Sequence, residues 1–257
     1  MSFLTKQNAY RFLTPVLGRV LPASATRTLV DKKLKENNIK YLDIGGAVPV
    51  EGYLVIHLSP VEVYGIPRKR SRGLAHHYDE RGIKYKQEII DFTAAVTLNY
   101  NLMEGIPVAD NTFDGINMSH CLEHFTRSDG LAILKECRRV LNNANSTAVL
   151  RISCPDLAKY ATAYVNQDDS YFNHPLVAGF VNYEGLRSYG DLFIHKAYDA
   201  HNGHKWFYDA ESAIQLALDA GFKKGLIKKL HETSLPYPEV IEPAFREKES
   251  FYVEVYL

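Results

Sequence analysis

Tyr41-Leu42-Asp43-Ile44-Gly45-Gly46 reads as a short apolar strand that runs into a glycine turn. Glycine has no Cβ, so such a turn lets the backbone come close to a ligand. A glycine pair alone more often only makes a turn. The fold is decided by what surrounds it. Residues 53–58 (Tyr-Leu-Val-Ile-His-Leu) form a second strand, and a third runs through 95–98 and ends near Tyr100-Asn101-Leu102. Residues 113–118 give a fourth, and 148–152 a fifth that Pro155 closes.

Helical periodicity fills the gaps. Leu131, Leu134, Cys137, Val140 and Leu141 recur on one face, with Lys135, Glu136, Arg138 and Arg139 on the other, and Ser128 or Asp129 can cap the start. Asp156 caps a helix that runs through Tyr164, and 209–220 is another, ended by Gly221. Two late strands follow at 223–230 and 251–257. Strands alternating with helices predict an α/β fold: a Rossmann-like, doubly wound, mostly parallel seven-stranded sheet. Ligands then bind beyond the carboxyl ends of the strands. One link is odd, since only eight residues separate Gly45 from Leu54. A crossover through a helix needs on the order of a dozen residues. Either this link is a stretched loop or a strand boundary is displaced.

Composition narrows the function. Thirty basic residues balance thirty acidic ones, so the charge bias of a duplex binder is missing and no nucleic-acid partner is expected. The three cysteines (Cys121, Cys137, Cys154) have no CxxC spacing, which fits a reducing, cytoplasmic setting and no disulfide framework or zinc knuckle. Residues 1–36 form an N-terminal cap segment, whose apolar run is interrupted by Pro15 and Pro22. It is too broken for a membrane span or a signal peptide; peripheral membrane contact is the alternative to packing on the domain. Residues 37–257 form the main domain. The basic stretch 67–86 reads as a solvated loop or a grip for an anion. Residues 167–204, rich in Tyr, Phe, His and Gly, form a lid insertion over the strand ends.

Further motifs stand at the strand and helix ends. They are Ser119-His120-Cys121-Leu122-Glu123-His124, Arg138-Arg139-Val140-Leu141, Pro155-Asp156-Leu157 and His204-Lys205-Trp206-Phe207-Tyr208-Asp209. As an ordered set over about 40–257, with 105–114, 151–157 and 249–255, they resemble the class I S-adenosylmethionine-dependent methyltransferases. The resemblance is to a bacterial predicted-methyltransferase subgroup with SHxLEH, RVL, PDL and HKWxYD motifs. It implies S-adenosylmethionine as cofactor, held by Asp43, Gly45, Gly46, Ala47, His57, Asn101, Leu102 and Ser119. It places the catalytic base at His120 or His124, and a small-molecule or carbohydrate-linked acceptor near His195, His204, Trp206 and Tyr208. The methyl would pass to an oxygen or nitrogen.

The chain departs from that pattern where carboxylates normally meet the ribose and adenine: His57 and Asn101 stand there. A neutral imidazole accepts one hydrogen bond where a carboxylate accepts several. Ala47 replaces a third glycine, and an Asn-rich turn at 142–146 replaces Lys-Pro-Gly-Gly. A second reading is therefore a degenerate scaffold that binds another ligand or a protein. A third is a zinc hydrolase, because His120, Glu123 and His124 fit H-x-x-E-H. The position after strand four favours the methyltransferase reading, and no metal is expected. His195, His201 and His204, with Asp199, lie within ten residues and could bind a metal or act as a base; hydrogen-bonded structure is the commoner role for such histidines.

Overall fold

A computed structural model describes residues 23–46, 50–57, 97–174, 177, 188–198 and 203–257. Helix α1 (Ala23–Glu36) leads into β1 (Tyr41–Ile44), β2 (Tyr53–His57) and β3 (Thr97–Asn99). After β4 (Gly115–Ser119) come α2 (Arg127–Val140), β5 (Val149–Pro155), α3 (Leu157–Val165), α4 (Asp169–Phe172) and α5 (Tyr189–Tyr198). The chain ends with α6 (Ala210–Asp219), β6 (Lys224–Lys228), α7 (Pro238–Ile241) and β7 (Ser250–Tyr256). The seven strands form one sheet in the order β3-β2-β1-β4-β5-β7-β6. β1 to β5 pair in parallel, and β7 is antiparallel to both β5 and β6. This is the Rossmann-like architecture expected from the strand–helix alternation.

β1 lies between β2 and β4, so the chain winds outward one way through β2 and β3 and the other way through β4 and β5. That reversal is the topological switch point of the sheet. The short link does join two neighbouring parallel strands. Tyr41 pairs with Tyr53 in parallel register across the eight-residue connection 45–52. Eight residues reach up to about 27 Å, and returning along a four-residue strand needs only about 13 Å. The basic segment 67–86 and residues 1–22 lie outside the described residues, as do 95–96 of the expected third strand, and β3 stops before Tyr100.

Capping follows local chemistry, with one correction. The α2 cap is neither Ser128 nor Asp129 but Thr126, whose extended backbone (φ −62, ψ 160) lets its hydroxyl accept from the Asp129 amide. Asp129 instead sits in the first turn, where its charge suits the helix dipole. Asp156 caps α3 and Asp209 caps α6, the latter through a reciprocal box with Ser212. Gly221 (φ 101) follows α6, and Arg138 donates to its carbonyl at 2.8 Å. Within 167–204, the stretch expected to form a lid, the described elements are α4 and α5. An aromatic cluster of Tyr160, Tyr171 and Phe172, with Tyr189, Phe193 and Phe207 beside it, packs them on α3. Among the described residues no helix is long and apolar enough to cross a membrane.

β5 is buried along its whole length because β4 and β7 flank it and helices cover it. It therefore reads as a continuous apolar run, broken by Arg151. The Arg151 side chain is fully buried. It meets Glu242 at 2.7 Å and donates to the carbonyls of Lys229 and Glu232, with its guanidinium 5.2 Å from the Tyr252 ring centre. One cation thus gathers the loop after β6, α7 and β7. Arg151→Met should lower stability by about 3–5 kcal/mol, because Glu242 would be left buried and unpaired. Glu242→Met in the same chain should restore most of it. Urea melts of the three proteins check this, and an unchanged midpoint in Arg151→Met would refute the assignment.

Candidate functional site

The site builds from the switch point. Gly45 has φ 80, a left-handed backbone, and a Cβ there would come within 3.1 Å of Cys121 Cβ and 3.2 Å of the Ser119 carbonyl. A Cβ at Gly46 would fall inside the Asp43 carboxylate. The two glycines are therefore required by packing: the turn after β1 lies directly against the end of β4. Beneath it, Asn117 donates to Asp43 Oδ1 at 2.8 Å, tying β1 to β4 in the buried layer. Burial pushes the Asp43 carboxyl up to about 7, against the Asn117 bond that lowers it.

After β4 the chain turns sharply. His120 takes a left-handed backbone (φ 48), and Leu122–His124 form a single 3-10 turn. No α-helical face therefore brings His120 and His124 together, as the H-x-x-E-H reading would need. His120 Nε2 lies 2.7 Å from Ser250 Oγ, and its Nδ1 lies 3.5 Å from Glu123 Oε1. Burial and then Arg246 push the His120 pKa down, so its neutral form is favoured. Ser119 accepts from the Ser153 hydroxyl at 3.0 Å, and the His120 amide donates to the Ser153 carbonyl. Glu123 is buried. Burial alone would raise its pKa, but His120, His124 and His204 overcome this and hold it at about 2. Burial and this carboxylate raise the Cys154 thiol.

Residues 203–209 dock on the same turn. The amides of Lys205 and Trp206 both donate to the Glu123 carbonyl, at 2.8 and 3.2 Å. This brings the His204 ring to 5.0 Å from that of His124, centre to centre. Behind it, Lys196 of α5 pairs with the buried Glu249 at 2.9 Å, and Arg246 meets the same carboxylate at 2.7 Å. Helix α5 is thereby fastened to the turn before β7.

The expected residues thus fall into groups. Asp43, Gly45, Gly46, Ser119 and His120 come together at the switch point, with His124 and His204 adjoining through Glu123. Ala47 lies outside the described residues, as do His201 and Asp199. His57 is the last residue of β2. Asn101 follows β3 and uses its side-chain oxygen to accept from the Met103 amide, capping the 3-10 turn Leu102–Glu104, while Leu102 packs on the main core. Trp206 is 44% exposed, and Tyr208 is buried in the core. His195 is half-buried on α5.

Sequence reasoning passed over Asn117, Arg139 and Glu249. Arg139 donates to the carbonyls of Ile106 and Val108 and to Asp110 and Glu136, pinning the loop after β3 to α2. The Arg-Val-Leu motif is explained by that clamp. The Asn-rich turn before β5 is explained likewise: Asn142 and Asn145 both donate to Asp114. A polar residue inside an apolar strand was the only signal for Asn117; Glu249 stands in the turn before β7 and was marked only as the start of the 249–255 stretch. A groove of about 750 Å³ opens beside the carboxyl end of β5, lined by Lys159, Thr162, Tyr171 and Phe245 among others.

Residues 73–147 match the family model of a methyltransferase domain. Similar solved structures include a SAM-dependent methyltransferase from Aquifex aeolicus, at 15% identity and TM-score 0.38, with 98% of each chain covered. Another, from Archaeoglobus fulgidus, shows 14% identity and TM-score 0.38 over 96% of this chain and 99% of that one. A structure of PigF with SAH shows 12% identity and TM-score 0.40 over 98% of this chain and 67% of that one. No curated protein matches the sequence.

The raised pKa of Asp43 has a measurable consequence. The folded chain keeps this proton up to about pH 7, whereas the unfolded chain loses it near the ordinary value of 3.8. The folded state binds more protons in that window, so stability falls as pH rises from about 4 to about 7. Asp43→Asn removes the penalty. It should stabilise the protein at pH 8 by up to about 4 kcal/mol, and the gain should vanish near pH 4. Denaturant melts at the two pH values test this; an equal effect at both would exclude the titration.

Proposed function

We propose that this chain is an S-adenosylmethionine-dependent methyltransferase acting on an oxygen or nitrogen of a small-molecule or glycan acceptor. The observation that carries the reading is the Gly45-Gly46 turn, pressed against the end of β4 at the switch point of a 3-2-1-4-5-7-6 sheet. The match of residues 73–147 to a methyltransferase domain supports it. Gly45 and Gly46 keep the mouth of the crevice free of side chains, as a cofactor lying over the backbone requires.

The bound cofactor would supply an activated methyl group and its own leaving group. The chain then has to bind, orient and remove a proton. Asp43, Gly45, Gly46, Ala47 and Ser119 frame the cofactor's place, with His57, Asn101 and Leu102 at the ends of β2 and β3. His120 is the proposed base, with His124 as the second candidate. Its favoured neutral form can accept a proton; Ser250 holds one ring nitrogen at 2.7 Å, and the Glu123 carboxylate lies 3.5 Å from the other. His195, His204 and the exposed face of Trp206 are proposed to meet the acceptor, and Tyr208 supports them from the core. Balanced charge favours a small or carbohydrate-linked acceptor over nucleic acid, and three free buried cysteines suit the cytoplasm.

A second reading, a scaffold that has kept the fold and lost the cofactor, is favoured by one observation. Asn101 already spends its side-chain oxygen on the Met103 amide. Thermal melts with S-adenosylmethionine or S-adenosylhomocysteine, checked by calorimetry, separate the two. Ligand at a hundred times its Kd adds about 2.7 kcal/mol, a rise of roughly 5–10 °C for a domain of this size. That rise is the expected result. No shift and no heat at millimolar ligand, with binding gained in His57→Asp/Asn101→Asp, would give the scaffold reading the lead.

A further inference from the structure

We infer that Glu123, His124 and His204 form a binding site for a divalent first-row transition cation, with zinc the best match. One ligand atom from each of the three residues lies within 4.8 Å of the others, close enough to share one ion. The second observation is Glu123 itself. It is 1% exposed, and neither carboxylate oxygen has a hydrogen-bond partner. The His120 contact at 3.5 Å is too long to serve as one. A buried carboxylate with neither oxygen hydrogen-bonded is a costly group, and a bound cation would offset that cost.

The histidines are prepared for that cation. His204 Nδ1 lies 3.2 Å from the Lys196 carbonyl, which can only accept, so Nδ1 carries the hydrogen and Nε2 keeps its lone pair. An outer hydrogen bond to a carbonyl is the usual way a metal-binding imidazole is oriented. The backbone fixes the third donor's approach, because Lys205 and Trp206 both hold the Glu123 carbonyl. Two imidazoles and one carboxylate suit zinc and leave a coordination position open. Magnesium and calcium prefer all-oxygen sites, so they should bind poorly.

The site differs from the one expected of H-x-x-E-H, because His204, from a distant part of the sequence, takes the place of His120. It shares His124 and His204 with the proposed base and acceptor positions, but it is read without cofactor or acceptor, so its failure would leave the methyl-transfer reading standing. The test uses the full chain without a polyhistidine tag, stripped with a chelator. It is titrated with Co²⁺, followed by visible absorption, and with Zn²⁺, followed by calorimetry. One equivalent should bind saturably, with Mg²⁺ giving no heat. Glu123→Gln, which keeps the shape, and His204→Ala should each weaken binding by about tenfold or more. If His204→Ala does not fold by circular dichroism, Glu123→Gln decides. No saturable uptake at millimolar metal by the folded parent would overturn the assignment. So would unchanged affinity in Glu123→Gln.

Discussion

The structure turns on the contact between the end of β1 and the end of β4. Two strands that are distant in sequence run side by side there, and the Asp43–Asn117 hydrogen bond joins them in the buried layer. The Asp43 carboxylate occupies the space a side chain at Gly46 would need, and Ser119 and Cys121 occupy the space beside Gly45. The glycine turn is thus a packing requirement before it is a ligand site. Both demands select the same residues, which is why the turn reads so clearly.

A second layer of organisation comes from buried charge. Arg151 gathers the loop and helix that precede β7, and Glu249 gathers α5, the Arg246 turn and Tyr160. Burial alone would raise Glu249; Lys196, His120 and Arg246 hold it at about 2. Such groups add little net stability compared with apolar packing, yet removing one partner is expensive. They fix where α5 and the C-terminal strands sit relative to the switch point. Glu123 is the contrasting case. Its surroundings favour its charge, but its oxygens are left without hydrogen bonds.

Motifs divide by what their residues touch. Arg139 and Glu136 clamp the loop after β3, and Asn142 and Asn145 hold Asp114. Tyr208 and Phe207 fill cores on the two sides of the segment that carries His204. The segment 203–209 is therefore held by its aromatic residues on both sides, and its backbone bonds to Glu123 set where His204 lies.

The sequence by itself determined the fold. Period-two and period-3.6 patterns, Asp156 and Asp209 as caps, and Gly221 after α6 are local signals, and local backbone energetics honoured them. It also marked Asp43, Gly45, Gly46, Ser119 and His120, because ligands in such sheets meet the residues just after the strands. The helix cap at Thr126 was missed because several polar residues there can cap, and only the backbone angles choose among them. Tertiary structure alone decided which histidine ring comes beside that of His124. H-x-x-E-H spacing implied His120 and His124 on one helix, but a left-handed His120 and a 3-10 turn broke that geometry. His204 arrived instead through two backbone hydrogen bonds from eighty residues away, a juxtaposition that no local periodicity encodes.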